Sequence, residues 1–494
     1  MVRGNTSSIP ATHPVIEAVM KRYAEGSLPG SRGPQDKYKI ALAVEGGGMR
    51  GCVAAGSSAA LQFLGLENSV DAVYGASAGS MVAAYFISRQ SAGVQIYHDI
   101  LTSAGRAFIN KTKLLAAVGF ANPFPASKPS NKSPLSGGTN SGSGPAETNV
   151  FNLDFLLEEI MGRSQPLDWE AFARNDAHQP LHVVTSSLES LEAVTFSSSR
   201  RGFGYADMGA LLHCIRASMN VPGITGALVG IPKDTHNPVP GPLAPPEQPT
   251  PGGGMRLRGG IEGERGRKYP TPASAPASAA SPHEALVDAF LVEPIPYRSA
   301  CKDGATHVIV LRTRPDPCPV LGNKGPGLFE RVICRRFFDA NGQPGAGDWV
   351  EQLRHQLVYA EDVVRLNDGA RGRPEGVVIE GRPVHMLPIA PSAGCPEVGQ
   401  LEVRRAKILA GMRDGARRTL QLFLPAILAQ QTRQQAPSDG IDGSSSGHFA
   451  DSAEQIEQIE QMVRMMLPDD ILGRSTTLED YRATYTVQRG ADIC

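Results

Sequence analysis

Two glycine-rich turns constrain the fold of this chain more than any other feature of its sequence. The first, EGGGMRG at residues 45–51, lies between the apolar run KIALAV and the small-residue run CVAAGSSAAL. The second, GASAG at residues 75–79, lies between VDAVY and SMVAAYF. Each preceding run is typical of a buried strand, and each following run of a helix. Strand, turn and helix in this order, repeated in close succession, predict parallel strands of an α/β protein.

The rest of the ordered sequence continues this alternation. Strand-like runs begin at residues 181, 191 and 307, and GALLHCIRASM at 209–219 is typical of a helix. Near-continuous apolar strands indicate a parallel sheet that helices cover on both faces. The sequence therefore predicts a three-layer α/β/α fold with a mostly parallel central sheet and a mainly helical C-terminal part.

Three stretches rich in proline, glycine and serine interrupt this pattern: residues 122–148, 232–282 and 436–452. Such segments bury too little apolar surface to offset the entropy lost on ordering, so we predict disordered insertions. With the insertions set aside, we expect an N-terminal extension at 1–36, a catalytic domain at 37–315 and the helical C-terminal region at 316–494.

Charge and cysteine content argue against several classes of function. The chain carries 48 basic and 49 acidic side chains, a net charge of −1, which argues against nucleic acid as a partner. The seven cysteines are scattered and form no C-x-x-C pair, so we expect thiols in a reducing compartment and no zinc site. We find neither an apolar signal core nor a run long enough for a membrane span. A cytoplasmic or membrane-peripheral location is expected, and organellar targeting stays an alternative.

The first turn on its own could bind either the pyrophosphate of a dinucleotide or an oxyanion. Gly46, Gly48 and Gly51 match the dinucleotide pattern G-x-G-x-x-G. Asp71 follows about 20 residues later, as the acid that binds the ribose does in such folds. That acid ends the second strand, however, whereas Asp71 lies near the start of the run VDAVY. A nicotinamide- or flavin-binding oxidoreductase is therefore kept only as a rival interpretation.

The second turn has the pattern of a nucleophile elbow. Ser77 is the central residue of G-x-S-x-G, flanked by Gly75 and Gly79, with a strand before it and a helix after it. In this context the glycines let neighbouring backbone approach, and the serine hydroxyl projects at the carboxyl end of the strand. Ser77 is thus the candidate nucleophile of an acyl transfer.

A nucleophile elbow gives the first turn a chemical role. The tetrahedral intermediate of acyl transfer carries negative charge on the former carbonyl oxygen, which backbone N–H groups can stabilise. Gly46, Gly47 and Gly48 have no side chains to obstruct that approach, so we predict that they form the oxyanion hole. Arg50 is expected to brace this loop or to attract an anionic head group.

The two motifs together resemble those of the patatin-like phospholipase family, in particular its bacterial-type subgroup. RASMNVP, with Ala217, Ser218 and Pro222, is similar to the A-S-x-x-x-P block of that family. The segment 285–315 is similar to the one that carries the catalytic aspartate of the family. The resemblance covers most of the ordered chain from about residue 37.

This resemblance implies a patatin-like fold and a serine lipid acyl hydrolase acting in lipid catabolism. It implies a dyad in which Ser77 is the nucleophile and Asp288 the base, an acyl-enzyme on Ser77, and no metal or cofactor. The substrates would be carboxylic esters of phospholipids or other glycerolipids. The protein would meet them at the surface of a membrane or lipid droplet.

One departure from the family pattern leaves an alternative open. Where the family has D-G-[GA], this chain has Asp288, Ala289 and Phe290. If position 289 requires a positive φ, alanine costs about 1–2 kcal/mol more than glycine there. The alternative is therefore a catalytically weak or inactive patatin-like protein that binds lipid.

Histidines offer a second alternative, a Ser–Asp–His triad. His307, His355 and His385 all follow Asp288, which is the order found in α/β-hydrolases. We interpret each of them as a structural residue, and His213 as a residue of the predicted helix at 209–219.

Overall fold

A computed structural model describes most of the chain: residues 2–6, 9–90, 95–113, 149–198, 205–233, 240–242, 283–316, 318–321, 326–327, 329–334, 338, 344–435 and 453–468. The predicted insertions at 122–148 and 436–452 lie outside these residues, as does most of the one at 232–282.

Within the described residues, ten strands form one sheet. They are β1 Ile40–Val44, β2 Ala72–Ala76, β3 Leu181–Ser187, β4 Ala193–Phe196, β5 Val229–Pro232, β6 Gly241–Pro242, β7 His283–Val287, β8 His307–Leu311, β9 Val377–Ile379 and β10 Arg382–Ile389. The strand order is β6-β5-β7-β3-β2-β1-β8-β10-β9, and β4 pairs with β3. The five central strands, β3 to β10 in this order, are parallel, and the outer pairings are antiparallel.

Helices cover both faces of this sheet. The α-helices are α1 Pro14–Ala24, α2 Cys52–Phe63, α3 Ala78–Ile87, α4 Trp169–Asp176, α5 Met208–Ser218, α6 Tyr297–Lys302, α7 Pro344–Glu351, α8 Arg354–Gly369, α9 Arg405–Gln435 and α10 Ala453–Met466. Ile96–Leu101, Phe155–Ser164 and Phe329–Cys334 are π-helical, and Ile96–Leu101 continues into the short helix Thr102–Ala104. None of the helices in the described part of the chain has the length and apolar character that a membrane span requires.

Strand β1 shows how the sequence builds three layers. Its side chains alternate between the two faces, as the period of a strand requires. Ile40, Leu42 and Val44 belong to the core that α1, α2, α3 and α9 cover, whereas Ala41 and Ala43 belong to the core beneath α6 and α8. The predicted three-layer α/β/α fold with a mostly parallel sheet is confirmed.

The small residues of α2 are explained by its position between the sheet and α9. Nearly every residue of α2 is buried. A Cβ atom at Gly56 would lie 2.0 Å from the carbonyl oxygen of Met412 in α9. The hydroxyl of Ser57 donates to the carbonyl of Gly415 at 3.0 Å. A larger side chain at these positions would push α9 away from the core.

The structure differs from two sequence-based expectations. The described part of the region 316–494 is mainly helical, as expected, but it also contains β9 and β10, which continue the central sheet, and β10 pairs with β8 over five residue pairs. The sheet therefore crosses the expected boundary at residue 315. In addition, residues 240–242 were assigned to an insertion, but Gly241–Pro242 pairs with β5. Strand pairing with partners remote in sequence outweighs local composition at both places.

Candidate active site

The elbow lies where β2 ends beside β3. These strands are parallel, with Ala76 opposite Val184. Continuing the register by one residue places Ser77 level with Thr185. The sharp turn at this point brings the serine to the carboxyl edge of the sheet, where the glycine-rich turn after β1 also lies.

Asp288 reaches the same level from the other side of β3. Strand β7 runs antiparallel to β3, with Val287 opposite Ser186, so the next residue, Asp288, is also level with Thr185. The Thr185 hydroxyl donates to the carbonyl of Val287 at 2.6 Å and holds the end of β7 in place. The Ser77 hydroxyl donates to Oδ2 of Asp288 at 2.6 Å. The two predicted residues are thus brought together.

The backbone of Ser77 has the strained conformation of an elbow. Its φ of 51° and ψ of −129° lie in a region that L-residues rarely occupy, which costs on the order of 1–3 kcal/mol. The Ser77 amide donates to the hydroxyl of Ser218 at 2.8 Å, and that hydroxyl in turn donates to the carbonyl of Val184. Ser218, known from the sequence only as part of a motif, therefore supports the elbow.

Gly46 allows the two turns to touch. A Cβ atom there would lie 2.6 Å from the carbonyl oxygen of Ala76 and 2.7 Å from Cβ of Ser77. The Gly46 amide, however, donates to the carbonyl of Pro294 at 3.3 Å. Of the three N–H groups predicted for the oxyanion hole, the one of Gly46 is therefore already hydrogen-bonded within the protein. Gly46 contributes to the site by letting the backbone of the first turn approach the elbow closely.

Gly47 and Gly48 have the properties expected of oxyanion donors. Their φ angles are 138° and 58°, a region that favours glycine. Among the described residues, no acceptor is found for either amide N–H group. The next amide, that of Met49, donates to the carbonyl of Gln400 at 3.0 Å and fixes the loop. The free N–H groups are therefore held in a defined position.

The remaining predicted residues support these turns. Arg50 Nη1 lies 3.3 Å from Oε1 of Glu397, which also accepts from Nε of Arg314 at 3.0 Å. Arg50 thus braces the loop against the segment that follows β10. A Cβ atom at Gly75 would lie 2.4 Å from Cα of Ser80, and one at Gly79 would lie 2.3 Å from the carbonyl oxygen of Val44. Both elbow glycines are therefore required by packing.

Asp288 is almost completely buried. Its side chain is only 6% exposed, and its Oδ1 accepts the amide of Phe290 at 2.8 Å. Burial raises the pKa of Asp288 to about 6, although the hydrogen bonds from Ser77 and Phe290 act in the opposite direction. A carboxyl group with this pKa is ionised at neutral pH but retains appreciable basicity.

Alanine after the aspartate carries no backbone strain. Ala289 begins a 3-10 turn, Ala289–Leu291, and does not have a positive φ. The cost of about 1–2 kcal/mol considered from the sequence does not arise, because it applies only to left-handed backbone. Phe290 faces the cavity beside Ser77. The departure from the family pattern therefore changes the cavity wall and leaves the turn unstrained.

A cavity of about 900 Å³ contains Ser77, Asp288 and the glycine loop in its wall. Much of the wall is apolar and comes from α3, from the segment between α3 and β3, and from the segment after α5: Met81, Leu101, Phe108, Phe151, Leu156 and Met219. Polar side chains come from segments after β1 and β8 and from α8: Arg50, Arg314, His355, Gln356 and Tyr359. This volume is ample for a fatty acyl chain together with part of a polar group.

Tyr359 and Glu45 connect α8 to the glycine loop. The Tyr359 hydroxyl donates to Oε1 of Glu45 at 2.7 Å, and the amide of Thr313 donates to Oε2 at 2.6 Å. Glu45 is buried and precedes the first glycine directly. Sequence reasoning missed this contribution of α8, since no local pattern pairs residues 314 positions apart.

The histidines are separated by the fold. His307 and His385 face each other where the pairing of β8 with β10 begins, with ring centroids 4.9 Å apart, so they lie at the opposite edge of the sheet from Ser77. His213 is exposed on α5. His355 lines the cavity, but Ser77 donates directly to Asp288 with no histidine between them.

Asp71 has a structural role. It accepts hydrogen bonds from Arg22 and Arg32, both at 2.8 Å, and from the amide of Ile40, also at 2.8 Å. It lies immediately before β2, at the opposite end of that strand from the elbow. The dinucleotide interpretation therefore lacks its ribose-binding acid, and Asp71 instead attaches the segment around α1 to the sheet.

Comparison with known proteins agrees with the geometry. Residues 42–246 match the family model of the patatin-like phospholipases. This range contains the glycine loop and the elbow, while Asp288 lies beyond it, and the match distinguishes no subgroup. A search of curated proteins found no match. The chain therefore contains a patatin-like phospholipase domain, of a family of lipid acyl hydrolases, over residues 42–246.

Proposed function

We propose that this protein is a serine hydrolase that cleaves carboxylic ester bonds of phospholipids or other glycerolipids, in lipid catabolism. The observation that carries the proposal is the 2.6 Å hydrogen bond from Ser77 to Asp288, made by a strained serine in the wall of a largely apolar cavity. A hydroxyl paired with a buried carboxylate is the arrangement that nucleophilic catalysis requires.

The reaction proceeds in two steps. Ser77 Oγ attacks the ester carbonyl carbon while Asp288 accepts its proton, and the oxyanion is stabilised by the N–H groups of Gly47 and Gly48. The intermediate collapses, the alcohol leaves with the proton from Asp288, and an acyl-enzyme remains on Ser77. Water then attacks the acyl-enzyme, gives a proton to Asp288, and releases the carboxylic acid as that proton returns to Ser77.

The apolar part of the cavity supports a lipid as the acyl donor. Side chains such as Leu101, Phe108 and Met219 can bury an acyl chain, and each methylene removed from water contributes about 0.8 kcal/mol to binding. Contact with a membrane or lipid droplet at the cavity mouth is part of the same proposal, because the substrates are held in such surfaces.

The direct test combines covalent labelling with hydrolysis. We expect a fluorophosphonate probe to label the wild-type protein at Ser77, identified by peptide mass spectrometry, and the protein to release fatty acid from a fluorogenic phospholipid or an acylglycerol. If the probe does not label Ser77 and no fatty acid is released above the uncatalysed rate, the proposal is contradicted. Lipid binding without either would favour the alternative of an inactive lipid-binding protein.

The pH dependence of activity is expected to report Asp288. The carboxyl group must be ionised to accept the proton, and burial raises its pKa to about 6. We therefore expect kcat/KM to reach a plateau above this pH and to fall about tenfold per pH unit below it. The measurement is kcat/KM for a soluble ester from pH 4.5 to 8. An acidic limb near pH 4, the range of an unperturbed aspartate, would contradict the assignment.

A further inference from the structure

The peptide that joins Gly46 to Gly47 is not held in one orientation by side chains of its own. Both flanking residues are glycines, and Gly47 has a φ of 138°, so the peptide plane can rotate with little steric resistance. The N–H of this peptide is one of the two free donors of the proposed oxyanion hole. A contact with another part of the chain must therefore fix its direction.

Thr313, in the segment after β8, makes that contact. Its hydroxyl donates to the carbonyl of Gly46 at 3.0 Å. Its amide donates to Oε2 of Glu45 at 2.6 Å. Strands β1 and β8 are parallel, with Val44 opposite Leu311, so the two segments leave the sheet side by side. Thr313 is thus attached to two successive residues at the start of the glycine-rich turn.

Peptide geometry converts this contact into a direction for the Gly47 N–H group. In a planar trans peptide the C=O and N–H bonds point in opposite directions. Because Thr313 holds the Gly46 carbonyl, the N–H of Gly47 points to the other side of the turn. Gly47 lines the cavity, whereas Thr313 is completely buried and does not belong to the cavity wall. The N–H group is therefore directed away from the protein interior behind the turn.

The second donor, the N–H of Gly48, is oriented differently. It shares a peptide with the Gly47 carbonyl, which accepts the amide of Arg50 at 3.1 Å within the same turn. Local structure thus fixes the Gly48 donor. The Gly47 donor depends instead on a residue 267 positions from Gly46 along the chain.

We propose that Thr313 is a positioning residue of the oxyanion hole, and that its hydroxyl keeps the N–H of Gly47 directed at the oxyanion. This inference rests on the proposed function and adds a residue outside the range that the family model matches. The effect falls on the transition state, because negative charge develops on the substrate oxygen there.

The first test is Thr313→Val, which nearly keeps the shape of the side chain and keeps the amide bonded to Glu45, but removes the hydroxyl. We expect kcat for a p-nitrophenyl ester to fall about tenfold, less than for loss of a whole donor, with KM nearly unchanged. Thr313→Ser keeps the hydroxyl and is expected to restore most of the wild-type kcat. Rates are counted per active site, titrated to completion with the fluorophosphonate probe, so unfolded protein does not contribute.

Thr419→Val is the matched control. Thr419 in α9 is also completely buried, and its hydroxyl also donates to a backbone carbonyl, that of Gly415, at 3.0 Å. It does not line the cavity. Loss of this hydrogen bond is expected to lower the free energy of unfolding much as Thr313→Val does, but to leave kcat per site unchanged.

A transition-state analogue reports on the oxyanion hole directly. The carbonyl carbon of an alkyl trifluoromethyl ketone forms a bond with Ser77 Oγ, the hydroxyl proton moves to Asp288, and the carbonyl oxygen becomes an oxyanion. The corresponding trifluoromethyl alcohol cannot form this oxyanion. We expect Thr313→Val to raise the inhibition constant of the ketone about tenfold and to leave that of the alcohol unchanged.

The outcomes separate this inference from the function on which it rests. Thr313→Val and Thr419→Val with the same kcat per site contradict the inference alone. A lower kcat in Thr313→Val without weaker inhibition by the ketone also contradicts it, as does a Thr313→Ser variant as impaired as Thr313→Val. A wild type that neither hydrolyses the ester nor binds the ketone covalently contradicts the proposed function and this inference with it.

Discussion

Replacing Ser77 with alanine is expected to lower kcat/KM by at least about three orders of magnitude on every ester that the wild type hydrolyses. Alanine retains the shape of the elbow but removes the oxygen that forms the acyl-enzyme. The oxyanion donors and the cavity remain, so weak residual catalysis above the rate in water is expected. Steady-state hydrolysis of a p-nitrophenyl ester and a fluorogenic phospholipid measures the effect.

Ser31→Ala is the matched control for this substitution, because Ser31 is exposed on the surface, away from the cavity. It should leave both activities and the melting temperature unchanged. The expectation for Ser77 would be wrong if Ser77→Ala retained more than a few per cent of the wild-type rate. Fluorophosphonate labelling of the alanine variant at another serine would then identify a different nucleophile.

Replacing Asp288 with asparagine is expected to reduce kcat/KM by about 10²–10⁴-fold. Asparagine has nearly the same shape as aspartate. Its oxygen can still accept the hydrogen bond from the amide of Phe290, which lies 2.8 Å from the carboxylate in the wild-type protein. It cannot take a proton from Ser77. The loss should fall on kcat more than on KM, since the substrate does not depend on the carboxylate for binding.

The stability of the Asp288→Asn variant separates catalysis from folding. Burial disfavours the ionised carboxylate at neutral pH, as its raised pKa indicates, so a neutral amide is expected to leave urea unfolding unchanged or shifted to higher denaturant. Asp348→Asn, on the exposed side of α7, is the matched surface control. A loss of less than about tenfold in the Asp288 variant would exclude the dyad and make His355 the next candidate base.

The local architecture of the site was predictable because it depends on residues close together in the chain. G-x-S-x-G between a strand and a helix predicts an elbow, and Ser77 has the positive φ that an elbow requires. The glycines of the first turn predict unhindered N–H groups. Which of those groups stay free was not predictable, since the Gly46 amide is taken by Pro294, a residue from a distant segment.

Asp288 was indicated by resemblance to a family, and no spacing rule in the sequence points to it. It lies 211 positions from Ser77, and the two meet because the registers of β2 and β7 on β3 happen to coincide at Thr185. Whether Ala289 would have a positive φ could not be predicted either, because a turn's backbone angles follow from the packing around it, here the buried core beneath α6.

The sequence by itself therefore determined the alternation of strands and helices, the strained turn at Ser77 and the small residues that let α2 pack on α9. These features depend on neighbours within a few positions, whose steric and hydrogen-bonding limits are local. Only the tertiary structure decided that β10 extends the sheet, that α8 walls the cavity with His355 and that Asp288 meets Ser77. Such contacts arise from strand register and competition among buried polar groups, which are properties of the assembled core.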